Sequence, residues 1–500
     1  MKVTYRTGGR TVQIEPALLV VACDPRALEG IMDYTEEERT IFGALQNFTF
    51  FTTCVKVHPA KKQNRVVILD AQICGLMAGV VHGYRNETAK QWGLDAANQQ
   101  ETNLVTIGQI VRAGATVSEA ALLGQLELFL KSPPSWWPFQ AGKYEIVSVN
   151  EQQPHGISHR AANPLNSPYF NHFRGADLAE GRPWQWLDIQ GANKTIYVHA
   201  STCFESVLHC WSYIQVLNET PKAKAALPPD KGAPIVIVGA GVSGLLFANY
   251  LKTLGYTNVT LLEKSDRYGG KTHSLQVSDE RRTTICELGT CYMSPAYDDM
   301  INALSDFTVG NERFKMAVDG TDRGMVVRTD HGPEVMIYSD YAMKLACQLL
   351  NVPFDEAGKA VVNAALVVAK ERYVRLRYKI FGSLNGIMPL KMPEGDPCGI
   401  FSKTFAQFLD DNEMGVFKGY FEYAYQVQGY GTLDEIPAYY GLVWITPNMA
   451  SQWGKTARTT AWRKGWEDVW DQMVIKLNLN LLLNTEVLAI ARTSRGRSVA

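Results

Sequence analysis

The residues best equipped for chemistry are three glycines near the middle of the chain. In "PIVIVGAGVSGLLFANYLKTLGY" a short apolar run leads into Gly239-x-Gly241-x-x-Gly244, and apolar residues at helical spacing follow as far as Gly255. The run predicts a buried parallel strand, and the spacing predicts a helix that Gly255 stops. The first glycine allows a tight turn. The second lets a pyrophosphate approach the backbone, and the third lets helix and strand pack closely. The helix start, with Val242 and Ser243, offers unpaired N–H groups to phosphates. "TNVTLLE" predicts the next strand, ending in Glu263 at the spacing of an acid that binds ribose hydroxyls. Together these features predict a dinucleotide site.

After Glu263 comes "KSDRYGGKTHS". The pattern E-x-x-x-R-x-G-G-[KR] resembles the FAD-binding segment of the flavin amine oxidase superfamily, which includes phytoene desaturases, protoporphyrinogen oxidases and polyunsaturated fatty acid isomerases. The resemblance implies FAD as cofactor. It also implies that Gly269 and Gly270 let the chain pass the flavin side of FAD, with Lys264, Arg267 and Lys271 as further cofactor-binding residues. "CELGTCYMSPAY" resembles the family segment that returns to the flavin, which assigns Leu288, Gly289 and Thr290 to the cofactor and makes Glu287 its acidic member. Cys286 and Cys291 flank it and read as small buried apolar residues.

These motifs need elements to hold them, and the order of those elements is unusual. The family closes on a strand, a small-residue turn and a last helix that carries a pyrophosphate or ribityl contact. That pattern resembles residues 181–217, "GRPWQWLDIQGANKTIYVHASTCFESVLHCWSYIQVL", ahead of the glycine motif. "TIYVHA" predicts the strand. "STCFESVLHCWSYIQVL" predicts the helix, with Ser201 or Thr202 as cap and Glu205 in the first turn. Ala200, Ser201 and Val207 become the cofactor contacts, although Ser201 stands where the family has glycine. At the other end, "NTEVLAI" resembles a mid-family strand whose valine, here Val487, contacts the adenine. Its expected partner and the segment after it resemble "VTYRTGGRTVQIEPALLVVACDPRAL", which starts at Val3. The economical reading is a circular permutation, with 232–500 preceding 1–217 and the Pro-, Ala- and Lys-rich stretch 218–233 joining the original ends. It expects Met1 and Ala500 to lie close together. An unrelated N-terminal domain and a fragment of a tandem repeat are the rival readings.

The fold class expected is therefore α/β: a FAD-binding Rossmann-like domain with a mixed-sheet and helical substrate domain, circularly permuted. Residues 1–28, 181–217, 232–300 and 461–500 form the first, and 29–180 with 301–460 the second. In the second, "DEAGKAVVNAALVVAKERYVRLRYKIFGSL" predicts a long helix, and "FSKTFAQFLDDNEM" predicts another with Ser402 as cap. "FTFFTTCVKV" alternates like a strand and puts Phe50 and Thr52 forward as cavity residues. The aromatic stretch from Gly419 adds Tyr430, Tyr439 and Tyr440 as the rings expected to be most exposed to that cavity. Arg372, Arg375 and Arg377 are candidates for a carboxylate clamp, or a solvated helix face.

The 500 residues carry a formal net charge of -1, with 46% hydrophobic and 20% charged residues, so nothing points to nucleic acid. Nine cysteines without CxxC pairs argue against disulfides and zinc, and for the cytoplasm or another reducing compartment. The N-terminus has no signal-peptide core, and no apolar run reaches the length of a membrane span. There is no Ser/His/Asp order and no HExxH, and no metal is expected. The resemblance implies an enzyme that takes a hydride from a small apolar substrate at flavin N5. The "YFNHF", "GRPWQWLDIQG" and "FESV" segments look most like the polyunsaturated fatty acid double-bond isomerases. An amine oxidase releasing peroxide, and a flavin-binding protein without turnover, are the alternatives. Oligomeric state is not legible.

Overall fold

A computed structural model describes residues 1–62, 64–76, 78–98, 102–115, 117–149, 169–280, 282–315, 322–382, 387–447 and 459–492. Two sheets organise them. The first has five parallel strands in the order Thr195–Tyr197, Leu18–Val21, Ile235–Val238, Val259–Leu262 and Asn480–Leu482. Its three middle strands, "LLVV", "IVIV" and "VTLL", are buried at every position. A parallel sheet covered on both faces selects such unbroken apolar runs. The helix Val242–Thr253 leaves the end of Ile235–Val238 and packs against the helices Val207–Glu219 and Gly465–Lys476.

Beside this sheet, Lys2–Thr7 pairs antiparallel with both Arg10–Ile14 and Glu486–Ala491, Val3 opposite Ile490 and Tyr5 opposite Val487. The two ends of the described chain thus share one small sheet. Arg492 closes the joint: its guanidinium donates to both Glu38 carboxylate oxygens at 2.6 Å, and also reaches Asp33 and the Tyr197 hydroxyl. Ala500 lies outside the described residues.

The second sheet runs Gly332–Ile337, Arg323–Thr329, Val67–Leu69, Ala78–Asn86, Asn103–Val111, Gln46–Pro59 and Phe139–Val149, with Tyr169–His172 also paired to Gln46–Pro59. It is antiparallel except where Arg323–Thr329 meets Val67–Leu69. The expected long helix is Glu356–Phe381, capped by Asp355 and stopped by Gly382 at φ 66°. No helix among the described residues is long and apolar enough to cross a membrane.

Three local expectations are corrected. The cap of Phe405–Asp411 is Thr404, in a capping box with Gln407, because Ser402 is still in the preceding turn with its N–H donated to Asp396. The cap of Val207–Glu219 is Ser206, not Ser201 or Thr202. Those two belong to a separate 3-10 turn, Ala200–Thr202, closed by His199, whose Nδ1 takes the Ser201 N–H and whose carbonyl takes the Thr202 hydroxyl. Glu205 therefore precedes the helix. Residues 218–233 are not a bare tether either: Pro221–Ala226 is helical, with Ala223 and Ala226 buried.

Candidate active site

The glycine turn is built by close approaches. Gly239 sits at φ 100°, in the region that favours glycine, and an added Cβ would lie 3.0 Å from the Cys23 nitrogen on the neighbouring strand segment. A Cβ on Gly244 would strike the Gly239 carbonyl at 2.2 Å, so this glycine serves helix–turn packing. The second glycine turn meets the first. Gly241 bridges Gly269, the Gly269 N–H donates to Ala240 O at 2.9 Å, and a Cβ on Gly270 would stand 3.0 Å from Gly241 Cα. Gly241 caps the helix Val242–Thr253 without any side-chain hydrogen bond, so its leading N–H groups are not covered by a capping side chain.

Around this cradle lies a cavity of about 1290 Å³. Single small-ligand pockets run to ~300–1,000 Å³, so this cavity exceeds what one small ligand needs. Gly239, Gly241, Val242, Ser243, Gly270 and Lys271 line it at the cradle. Glu263, Lys264 and Val487 line it at one side, and Leu288, Gly289, Thr290, Ala200 and Val207 at another. Phe50, Thr52 and Tyr430 line the stretch walled by the second sheet. The Glu263 carboxylate is held by the Ala240 N–H at 2.8 Å and by the Ser265 N–H and hydroxyl at 2.9 and 2.8 Å. Oε1 already accepts both Ser265 donors, whereas Oε2 accepts only the Ala240 N–H and has room for a further donor. Lys264 pairs with Glu486 at 2.9 Å, and Lys271 with Glu205 at 2.6 Å. The Thr52 hydroxyl donates to Leu288 O at 2.9 Å and so ties the sheet to the 288–290 turn.

Several expected residues stand back from the cavity. Gly244 and Gly269 act through packing. Arg267 donates to Gly270 O at 2.7 Å and braces the second turn. Ser201 is turned onto His199. Tyr439 and Tyr440 are 3% exposed, because the helix Ala438–Trp444 is buried at every position. The Tyr440 hydroxyl accepts the Phe173 N–H, and Tyr439 packs with Trp184 and Phe381. Tyr430 is also buried, yet it lines the cavity and donates to Glu205 O at 2.7 Å. No arginine clamp forms on the long helix. Arg372 turns to Asn412 O and Glu413, Arg375 is exposed, and Arg377 is buried against Leu442 O and the Phe381 ring.

The cavity wall and the layer behind it also hold polar residues, most of which sequence reasoning passed over. Asp24 and Arg26 pair at 2.7 Å beside Asn171. Burial pushes the Asp24 carboxyl up, but hydrogen bonding and charge from Arg26 with the charge of His199 outweigh it and hold it at about 2. Burial lowers His199 to about 4. Arg85 donates from Nε to Glu87 at 2.7 Å and from Nη2 to the Glu287 carbonyl, and Lys90 reaches the other Glu87 oxygen at 2.5 Å and Cys291 Sγ at 3.5 Å. Burial drives Glu287 up to about 7, against the nearby Lys90 charge and hydrogen bonds from Ser274 and the Trp466 N–H. Residues 84–90, "YRNETAK", match no motif of the sequence, and only the pairing of Ala78–Asn86 inside a sheet reveals this cluster.

A doubly glycine-lined cradle at the end of a buried parallel sheet, opening onto a second sheet, defines a two-part dinucleotide-binding α/β protein. The profile of the family "Flavin containing amine oxidoreductase" matches residues 242–500, just over half of the chain, and the chain belongs to that family, with FAD as its cofactor. The polyenoic fatty acid isomerase of Ptilota filicina is 24% identical over 287 residues, covering 55% of this chain and 54% of that protein. The L-amino acid dehydrogenase of Synechocystis sp. is 24% identical over 278 residues, covering 55% and 54%. Among solved structures, the CLA-producing fatty acid isomerase from P. acnes is 22% identical, covering 51% of this chain and 52% of that one with a TM-score of 0.37. The chain spans about half the length of these curated relatives.

Proposed function

We propose that this chain is a FAD-dependent enzyme that moves a hydride on an apolar substrate, and within that class a polyunsaturated fatty acid double-bond isomerase. The observation that carries the reading is the single cavity that continues from the glycine cradle, past the 288–290 turn, along a wall of Phe50, Tyr169 and Tyr430. Gly239, Gly241, Val242 and Ser243 would hold the pyrophosphate, Glu263 the ribose, and Val487 the adenine. Lys271, Ala200 and Val207 would hold the ribityl side, and Leu288, Gly289 and Thr290 the ring. Bound FAD supplies acceptance and return of a hydride at a carbon beside a double bond. The chain supplies a dry wall and a fixed turn, with Thr52 holding the Leu288 carbonyl in place. Tyr169 and Tyr430 are stacked at 5.8 Å and 10°, which leaves no slot between the rings for an alkylamine. Lys264 and Lys271, the lysines that line the cavity among the described residues, are both ion-paired. Both observations favour the isomerase over the amine oxidase. The test is linoleate added to the FAD-loaded protein without oxygen. A conjugated-diene absorbance is expected. In a parallel aerated assay with a panel of amines, peroxide release with no diene from linoleate refutes the isomerase, and neither signal from a yellow protein refutes turnover.

We also infer that the segments follow a circularly permuted family order, 232–500 before 1–217. Its support is that Leu18–Val21 lies between Thr195–Tyr197 and Ile235–Val238, and that Lys2–Thr7 pairs with Glu486–Ala491. Four separated stretches, 1–28, 181–217, 232–300 and 461–500, then make one FAD lobe, leaving 29–180 and 301–460 to the substrate. A chain rejoined in the order 232–500 then 1–217 should fold and bind FAD with an unchanged spectrum. A rejoined chain that is colourless or unfolded contradicts the inference.

A further inference from the structure

One cavity side chain has no task in that scheme. The strand Ala78–Asn86 pairs with Asn103–Val111 in a register that slips, Val81 standing opposite Gln109 and Gly83 opposite Gly108. The extra residue in this β-bulge is His82, and a bulge re-aims the side chain it carries. The imidazole lies over Gly108 on the cavity wall: a Cβ there would stand 3.1 Å from His82 Cε1, 3.3 Å from its Nε2 and 3.3 Å from Phe50 Cε2. Glycine at 108 is what admits the ring. The ring centroids of His82 and Phe50 are 6.2 Å apart.

The register also fixes the depth. Gly108 stands directly opposite Thr52, whose hydroxyl holds Leu288 O. His82 is therefore level with the 288–290 turn, while Arg112 lies beyond the end of the Asn103–Val111 strand. His82 is 3% exposed; among the described residues its Nδ1 is sealed within the wall without a hydrogen-bond partner, which leaves Nε2 as the ring nitrogen a ligand in the cavity can meet. Burial alone lowers the imidazole to about 4. At neutral pH it is an uncharged ring with one N–H donor and one acceptor nitrogen, set in an apolar wall.

We propose that His82 hydrogen-bonds an uncharged polar group, a hydroxyl or carbonyl, carried on the apolar chain of the substrate near its reacting carbons. The preferred substrate is then an oxygenated acyl chain rather than a plain hydrocarbon one. This rests on the acyl-chain reading above. Sites that hydrogen-bond a ligand group discriminate against analogues lacking it. One such bond is worth about a ten-fold change in affinity.

The test uses the FAD-loaded protein with stearate and its monohydroxy positional isomers, which have no double bond to move. Dissociation constants are read from the perturbed flavin spectrum. One isomer, or two neighbouring ones, should bind about ten-fold tighter than stearate. His82→Phe should lose that preference with stearate binding unchanged, and His82→Gln should keep it. Equal affinity across the series in the unmodified protein overturns the role of His82, as does a preference that survives in His82→Phe. If His82→Phe fails to take up FAD, the unmodified protein and His82→Gln decide the matter alone. If stearate and every isomer fail to bind, the acyl reading falls and this proposal with it, an outcome distinct from equal binding.

Discussion

Gly270→Ala tests the cradle most directly. Gly270 has a φ of 59°, and its added Cβ would stand 3.0 Å from Gly241 Cα, a backbone atom with no rotamer to escape into. The left-handed conformation costs an L-residue roughly 1–2 kcal/mol, and overpacking a filled contact costs about 1–3 kcal/mol more. Gly255→Ala is the matched control: its φ is 87°, but nothing lies within 4 Å of the added Cβ. It should lose only the conformational part. The difference between the two, about 1–3 kcal/mol, measures the contact of the two turns. If the turns part to relieve it, FAD binding weakens by about ten-fold or more. Urea unfolding of the FAD-free protein gives the stabilities, and flavin fluorescence quenching gives the FAD dissociation constants. The argument is refuted if the two variants are equally destabilised and Gly270→Ala binds FAD within about two-fold of the unmodified chain.

Glu287 should make stability depend on pH. Its folded pKa is raised from 4.5 to about 7, so the protonated acid is the form the fold favours. Its contribution is complete below pH 4.5 and is lost as pH rises through about 7. The loss amounts to about 3 kcal/mol. Glu287→Gln should remove that slope in urea unfolding across the same window, and an unchanged slope refutes the assignment. At the joint of the chain ends, Arg492→Met should destabilise by about 3–5 kcal/mol, since it strands a buried Glu38. Glu38→Gln in that background should restore part of the loss, and strictly additive stabilities contradict the coupling.

Legibility followed the physics of each feature. The Gly239 and Gly269 turns were readable because positive φ and backbone contact admit little but glycine, so residue type alone carries the geometry. The apolar strands were readable because a doubly covered sheet allows few polar positions. The helix starts were less so. Ser201, Thr202 and Ser206 are all competent caps, and only the His199 turn selects the last. Tyr439 and Tyr440 were misplaced because an aromatic stretch does not say which rings face a cavity and which face a helix bundle. His82 and the Arg85–Glu87–Lys90 cluster were invisible for a third reason: a bulge and a cross-strand pairing are made by residues distant in sequence.

The pairing of Lys2–Thr7 with Glu486–Ala491 also governs how the protein is made. The hairpin from Lys2 to Ile14 is synthesised some 480 residues ahead of its partner strand. At ordinary translation speed that wait is on the order of a minute. Through it, one edge of the hairpin stays open, and the wholly apolar strand Leu18–Val21 has neither of its neighbours until Thr195–Tyr197 and Ile235–Val238 are synthesised. Open edges of this kind template aggregation. Recovery of soluble protein should therefore depend on elongation rate and chaperone supply during synthesis more than on the stability of the finished fold.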